Sequence, residues 1–110
     1  MSGPSGERSS LVARRVRDAR ARQLARASLT GVLTNADLGS AALLRVARPD
    51  ADGRRLLERA MDQLGMTGRA HDRLLRVART LADLEGRGGV AGRHVAEALQ
   101  FRGARAAAEP

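Results

Sequence analysis

The sequence predicts an all-helical fold, a small bundle of four or five helices. Apolar residues recur at the three- and four-residue spacing of amphipathic helices in successive segments. The alternation typical of strands is missing, apart from a short apolar stretch at Val90 that leads into the last helix. At 110 residues the chain suits one domain with a modest core. Because it has one Phe and no Trp or Tyr, Leu, Val, Ala and Met must fill that core, which favours closely packed helices.

The first helix is expected from Ser10 to about Ser28, where Gly31 would end it. Residues 1–9, rich in Ser, Gly and Pro, are predicted to be a disordered lead-in. The helix has only a thin apolar face, and most of its arginines lie outside it. That face consists of Val12, Val16, Ala19 and Gln23.

The middle of the chain predicts a short helical turn followed by a long helix. Asn35 can cap the turn, and the apolar residues after it continue as far as Pro49. Asp50 or Asp52 opens the long helix, and Gly65 is well placed as its left-handed terminator. The apolar residues of this helix are Leu56, Leu57, Ala60, Met61 and Leu64.

Thr67 is expected to cap the next helix, which Gly86 terminates. A glycine-rich link then leads to a last helix, and residues 103–110 are predicted to be a flexible tail after a domain that spans residues 10–102. The residues expected to be buried are Leu57, Met61, Leu74, Val77, Leu81 and Leu99.

All 20 basic residues are arginine, against 12 acidic ones. The excess is uneven, because residues 8–26 contain seven arginines and one aspartate and therefore carry +6 of the net +8. Such a concentration indicates an anionic partner and says little about the fold. The exclusive use of arginine fits either a GC-rich genome or a need for bidentate phosphate contacts.

Several classes of function are excluded by composition. Without lysine the chain cannot contain the G-x-x-x-x-G-K-[S/T] phosphate loop, and without cysteine it has no disulfide or thiolate metal site. His71 and His94 match no metal-ligand spacing, and no catalytic constellation is apparent. Gly86–Ala91 fits G-x-G-x-x-A but follows a helix, so we interpret it as a loop. No membrane span or signal region is apparent, so a cytoplasmic location is expected.

Two strings, Val77–Leu84 (VARTLADL) and Glu97–Arg102 (EALQFR), stand in an order and at a separation that resemble the C-terminal helical domain of magnesium-chelatase-like AAA+ ATPases. The similarity extends from Ser10 to Arg102 and is strongest to the ComM/YifB group, which is linked to DNA uptake and recombination. One departure is Gly68, where the family more often has alanine. A glycine there loosens the first helical turn by about 1 kcal/mol relative to alanine.

This resemblance implies a bundle of the AAA+ lid type that closes over ATP and Mg²⁺ held by an ATPase core. The lid alone would bind no cofactor and no metal and would not be an enzyme. Its partners would be the core and neighbouring subunits of a ring. The chain itself is then expected to be a truncated or split gene product or a domain that works in trans. Arg69 matches the sensor-2 arginine, whose forked guanidinium approaches the γ-phosphate.

Other arginines keep alternative interpretations. One group, on the helix that Thr67 caps, comprises Arg73, Arg76 and Arg79. It is either an exposed basic face, with Asp72 and Asp83 as local partners, or a contact to nucleotide or to a neighbouring subunit. A second group on the first helix is either solvated or forms a nucleic-acid or intersubunit face; it comprises Arg15, Arg22 and Arg26. The alternative function is therefore a small basic helical protein that binds nucleic acid, without sequence preference, or serves as an adaptor.

Overall fold

The computed structural model describes the backbone of residues 4–108 and the side chains of residues 8–101. Five α-helices and one short 3-10 turn follow one another along the chain, and the described part contains no strand. The elements are α1 (Pro4–Thr30), the 3-10 turn (Asn35–Asp37), α2 (Ser40–Val46), α3 (Ala51–Leu64), α4 (Gly68–Glu85) and α5 (Gly92–Ala108). The predicted all-helical bundle is confirmed.

Local signals set most helix ends as predicted. The Asp50 side chain accepts a hydrogen bond from the Gly53 amide at the start of α3, and Thr67 accepts one from Ala70 at the start of α4. Gly65 and Gly86 end these two helices in the left-handed conformation, which glycine adopts without steric cost. Val90, in the short apolar stretch before the last helix, forms an isolated parallel β-bridge with Pro49.

The expectation that Asn35 caps the short turn is wrong. Thr34 occupies the cap position, without a side-chain hydrogen bond to the turn, whereas Asn35 is the first residue of the turn and is buried. Its side chain points to α4, where it finds stronger partners than the local backbone offers.

The hydrophobic core is built from the segment between the 3-10 turn and α5. Its buried residues are Leu38, Leu43, Ala47, Leu57, Ala60, Met66, Leu74, Leu75, Ala78, Ala82, Val90, Val95 and Ala98. Of the residues expected to be buried, Leu57 and Leu74 are buried. The others pack against the core while remaining partly exposed; they are Met61, Val77, Leu81 and Leu99. The single aromatic residue, Phe101, is 56% exposed.

Helix α1 lies outside this core. It begins at Pro4, before the predicted start at Ser10, and α5 likewise continues to Ala108 through much of the segment predicted to be a tail. Residues 1–3 and 109–110 lie outside the described residues, and the domain limits remain predictions. Of the α1 side chains described, only Ala19 is buried, at 3% exposure, so α1 rests on the bundle without contributing to its apolar centre.

Candidate functional site

The N-terminus of α4 presents the candidate sensor arginine to solvent. Thr67 accepts a 3.1 Å hydrogen bond from the Ala70 amide, which fixes the first turn. Arg69 and Arg73 both project from this end as exposed side chains. Neither makes a hydrogen bond or an ion pair within the described residues, so both guanidinium groups are available to a ligand or a partner.

Beside this end lies a small polar cluster that joins α2 to α4. The Ser40 hydroxyl donates to Asp72 Oδ2, and His71 Nδ1 lies 3.3 Å from Asp72 Oδ1. The Ser40 hydrogen bond holds the pKa of Asp72 below its ordinary value, with a smaller contribution from His71. Because the carboxylate stands between the serine and the histidine, His71 is not placed to take a proton from Ser40, as a hydrolase triad requires. The cluster therefore orients α2 on α4 and carries no catalytic arrangement.

Further along α4, Arg76 and Arg79 turn towards the protein and do not share an exposed face with Arg73. Arg76 is half-buried, and its Nε donates to the Leu38 carbonyl at 2.8 Å. Arg79 is only 2% exposed. The interpretation of all three as one exposed basic face is therefore wrong, because long-range backbone acceptors hold the second and third inside.

Arg79 connects three parts of the fold through its two terminal nitrogens. Nη1 donates to the carbonyls of Val46 at 3.0 Å and Gly88 at 2.9 Å, while Nη2 donates to the Arg87 carbonyl at 2.7 Å. Nη2 also lies 3.0 Å from Asp83 Oδ1, and the Nε of Arg79 is buried without a partner within the described residues. Burial lowers the pKa of Arg79, and Asp83 opposes that shift. Their pair was expected on the surface and is in fact buried.

Asp83 is the centre of a buried polar network between α1, the 3-10 turn and α4. The side chain is fully buried, and Oδ1 accepts from Arg26 Nη2 as well as from Arg79. Oδ2 accepts from Asn35 Nδ2 at 2.9 Å, and the same amide lies 3.1 Å from Thr80 Oγ1. A buried carboxylate is tolerated when it is paired and hydrogen-bonded in this way.

Two more α1 side chains extend this network. Arg22 Nη1 donates to the Asp83 backbone carbonyl at 3.2 Å, and Gln23 Oε1 accepts from the backbone N–H of Asn35 at 3.1 Å. Arg26 Nη1 also donates to Asn35 Oδ1 at 3.2 Å. The structure thus holds Arg22 and Arg26 against α4 as half-buried side chains, whereas Arg15, the third of the predicted trio, is exposed without a partner among the described residues.

Other arginines of α1 point away from the bundle. Arg14, Arg17 and Arg20 are exposed, and their three-residue spacing keeps them within about a third of the helix circumference. On the opposite side, α1 residues between Val12 and Arg22 form one wall of an open cleft of about 600 Å³. Its lining mixes apolar residues, such as Val16 and Leu81, with charges of both signs.

At the far end of α4 a second charged cluster fixes the start of α5. His94 is 1% exposed, and its Nδ1 accepts a 2.8 Å hydrogen bond from the Ala91 amide. Nε2 therefore carries the proton of the neutral ring and donates to Glu85 Oε2 at 2.7 Å. Arg93 first, and His94 second, lower the pKa of Glu85 to about 2. Within the described residues no group of three His, Cys, Asp or Glu side chains could hold a metal ion.

Sequence reasoning missed the network around Asp83. One signal was available, since this aspartate lies four residues after an arginine, a spacing that suits an ion pair along one helix. No helix in the described part of the chain is long and apolar enough to cross a membrane.

Comparison with known proteins places the chain among C-terminal helical domains. Residues 6–102 match the family described as magnesium chelatase, subunit ChlI C-terminal. The chain is 37% identical over 101 residues to competence protein ComM of Haemophilus influenzae, which covers 92% of this chain and 19% of that protein. No solved structure matches.

Two further relatives extend the comparison. An uncharacterized protein of Mycobacterium tuberculosis is 41% identical over 101 residues, which covers 92% of this chain and 20% of that protein. The uncharacterized protein YifB of Escherichia coli is 35% identical over 97 residues, covering 88% and 18% of the two chains. The chain thus spans about a fifth of the length of the curated relatives it matches.

Proposed function

The chain belongs to the magnesium chelatase ChlI C-terminal family, and from that membership we propose that it is the helical lid of an AAA+ ATPase of the ComM type. In this proposal the ATP and Mg²⁺ are held by an ATPase core outside the present sequence, which has no lysine for a phosphate loop. The lid contributes a sensor to that site and works in DNA uptake or recombination.

The observation that carries the proposal is the state of Arg69. It stands in the first turn of α4 as an exposed side chain without a partner among the described residues, whereas Arg76 and Arg79 of the same helix are engaged. A free cation at a helix N-terminus has no favourable interaction with the helix dipole, so an anion is the ligand that suits this place. A guanidinium fork can donate two hydrogen bonds to the γ-phosphate.

In such a machine the lid converts the presence of the γ-phosphate into movement. Binding of the phosphate by Arg69 favours the closed position of the bundle over the core, and release of the phosphate removes that preference. The bundle moves as a rigid body because α2–α5 share one apolar core.

The test measures ATP hydrolysis by a ComM-type core combined with this domain. Arg69→Ala should slow hydrolysis by roughly 30- to 1,000-fold, the range expected when one donor to the transferring phosphoryl group is removed. Arg59→Ala is the matched control, since Arg59 is also exposed and lies on α3. Circular dichroism should be unchanged in both variants, and unaltered turnover in Arg69→Ala would refute the sensor role. The domain alone should not hydrolyse ATP.

A specific observation favours a second candidate, sequence-independent binding of nucleic acid. Arg14, Arg17 and Arg20 form an exposed face without partners in the described part of the chain, and no aromatic side chain accompanies them for base stacking. Changing the three together to Gln should weaken DNA binding on every sequence and reduce the salt slope by roughly 0.9 for each phosphate that is no longer neutralised. The matched control changes Arg45, Arg54 and Arg59 to Gln. Equal effects of the two triple variants would exclude a dedicated face on α1.

A further inference from the structure

We propose that α1 is an arm that undocks as a unit from a self-sufficient body made of the 3-10 turn and α2–α5. The arm pivots at Gly31 and is held by a polar latch, defined as Arg22, Gln23 and Arg26 with their hydrogen-bond partners on the body. This inference concerns the chain itself and does not depend on the proposed ATPase role.

The first argument is the independence of the core. Every residue of the buried apolar cluster belongs to the segment from Leu38 to Ala98, and every partly buried apolar residue packed against that cluster lies between Val32 and Leu99. The larger apolar residues of α1 are exposed instead; they are Leu11, Val12, Val16, Leu24 and Leu29. The apolar cluster therefore contains no side chain of α1, and the one buried side chain among those described on α1 is the small Ala19.

The second argument is that Asp83 keeps partners when the arm leaves. Oδ1 retains Arg79, four residues earlier on the same helix, and Oδ2 retains Asn35. The Arg79 bonds to Val46, Gly88 and Arg87 involve no residue of α1. Undocking therefore does not leave a buried unpaired charge, which is the usual reason such a network cannot open.

The third argument is that water can satisfy each group that opens. Arg22 and Arg26 are guanidinium groups that hydrate once exposed. The body groups that lose an α1 partner each need one water; they are the Asp83 carbonyl, Asn35 Oδ1 and the Asn35 backbone amide. Gly31 supplies the pivot, because it already has a positive φ of 75° and nothing within 4 Å of where a Cβ would lie. The arm can therefore swing without breaking the core or crowding the chain at the joint.

Thiol labelling tests the arm directly, because the chain contains no cysteine of its own. Ala19→Cys places a thiol under the arm, and Ala78→Cys places one in the body; these alanines are 3% and 0% exposed. A thiol-reactive dye should label the cysteine at 19 at least about tenfold faster than that at 78, since local opening requires less free energy than global unfolding. Equal rates would overturn the proposal.

Weakening the latch from the arm side should widen that difference. Arg26→Gln leaves Asp83 bonded to Arg79 and Asn35, so the body should stay folded while labelling at 19 accelerates about tenfold more. Arg20→Gln, an exposed neighbour on the outer face, is the control and should have no effect. Hydrogen exchange gives a second readout, with protection reduced over residues 19–30 and kept over residues 74–82. Reduced protection in both segments, or in neither, would refute the arm.

Discussion

The two ends of α4 use the same residue type for opposite purposes. At the N-terminal end Arg69 and Arg73 are exposed and bind nothing within the described residues. Ten residues after Arg69, Arg79 is 2% exposed and donates to three backbone carbonyls and Asp83. The difference shows that a regular arginine spacing does not define a functional face. What decides the role of each arginine is which distant carbonyls and carboxylates the fold brings beside it.

The largest effect should follow removal of the buried carboxylate at the C-terminal end. Asp83→Ala leaves Arg26 and Arg79 without their charged partner and should lower the free energy of unfolding by about 3–5 kcal/mol. Asp72→Ala at the other end is the matched control, with an expected decrease of at most about 1 kcal/mol because its contacts with Ser40 and His71 are open to solvent. Urea denaturation followed by circular dichroism measures both, and similar decreases would erase the contrast between the ends.

The apolar face of α4 should show a smaller difference. Leu74→Ala is expected to cost roughly 3–5 kcal/mol and Leu81→Ala about 2 kcal/mol, both within the range for buried leucine truncation. The reason is that Leu74 is 4% exposed, whereas Leu81 is partly exposed at the cleft wall beside α1. The same denaturation experiment ranks them. A larger cost at Leu81 would contradict its partial exposure.

The exposed end should respond mainly through its cap. Thr67→Ala removes the acceptor of the Ala70 amide and should cost about 1 kcal/mol. Arg69→Ala should change the stability by no more than about 0.5 kcal/mol, as for other surface residues. Thermal unfolding of the two variants separates a structural threonine from a functional arginine. A marked decrease in the stability of Arg69→Ala would show that this side chain has a structural partner.

The smallest effect concerns pH at the last residue of α4. Arg93 and His94 lower the pKa of Glu85 from 4.5 to about 2, so the folded state binds this proton more weakly than the unfolded chain. The stabilisation by Glu85 is therefore complete above pH 4.5 and disappears as the pH falls towards 2. Glu85 is substantially exposed, which limits the size of the effect. Melting curves of wild type and Glu85→Gln should converge on acidification, and Glu97→Gln serves as the control.

The sequence predicts well those features whose cause lies within a few residues. Thr67, Asp50 and the terminators Gly65 and Gly86 act on their own helix ends, so their spacing alone indicates them. Arg79 could not be assigned in the same way, because its acceptor Val46 lies 33 residues away. Asn35 shows the competition directly, since the local cap it could have formed gives way to a carboxylate 48 residues distant.

The predicted trio Arg15, Arg22 and Arg26 shows a second limit. Charge density correctly marks α1 as basic, but it does not say which side of the helix meets the bundle. The thin apolar stripe pointed to that side. Ala19 on it is buried, while Val12 and Val16 are exposed and line the open cleft between α1 and α4. The exposed basic face is therefore Arg14, Arg17 and Arg20. Helical phase identifies these three residues only once the side of α1 that contacts the bundle is known.

The fork of Arg79 also bears on which residues of this chain are replaceable. Two separate nitrogens serve acceptors that belong to α2, to the loop after α4 and to α4 itself. A lysine brings all its donors to a single atom and could not reach that divergent set, so the exchange Arg79→Lys is not conservative. At Arg14, Arg17 and Arg20, which are exposed, lysine would keep the same charge in solvent. Of these positions, Arg79 is therefore the one at which the contacts of the fold depend on a guanidinium group.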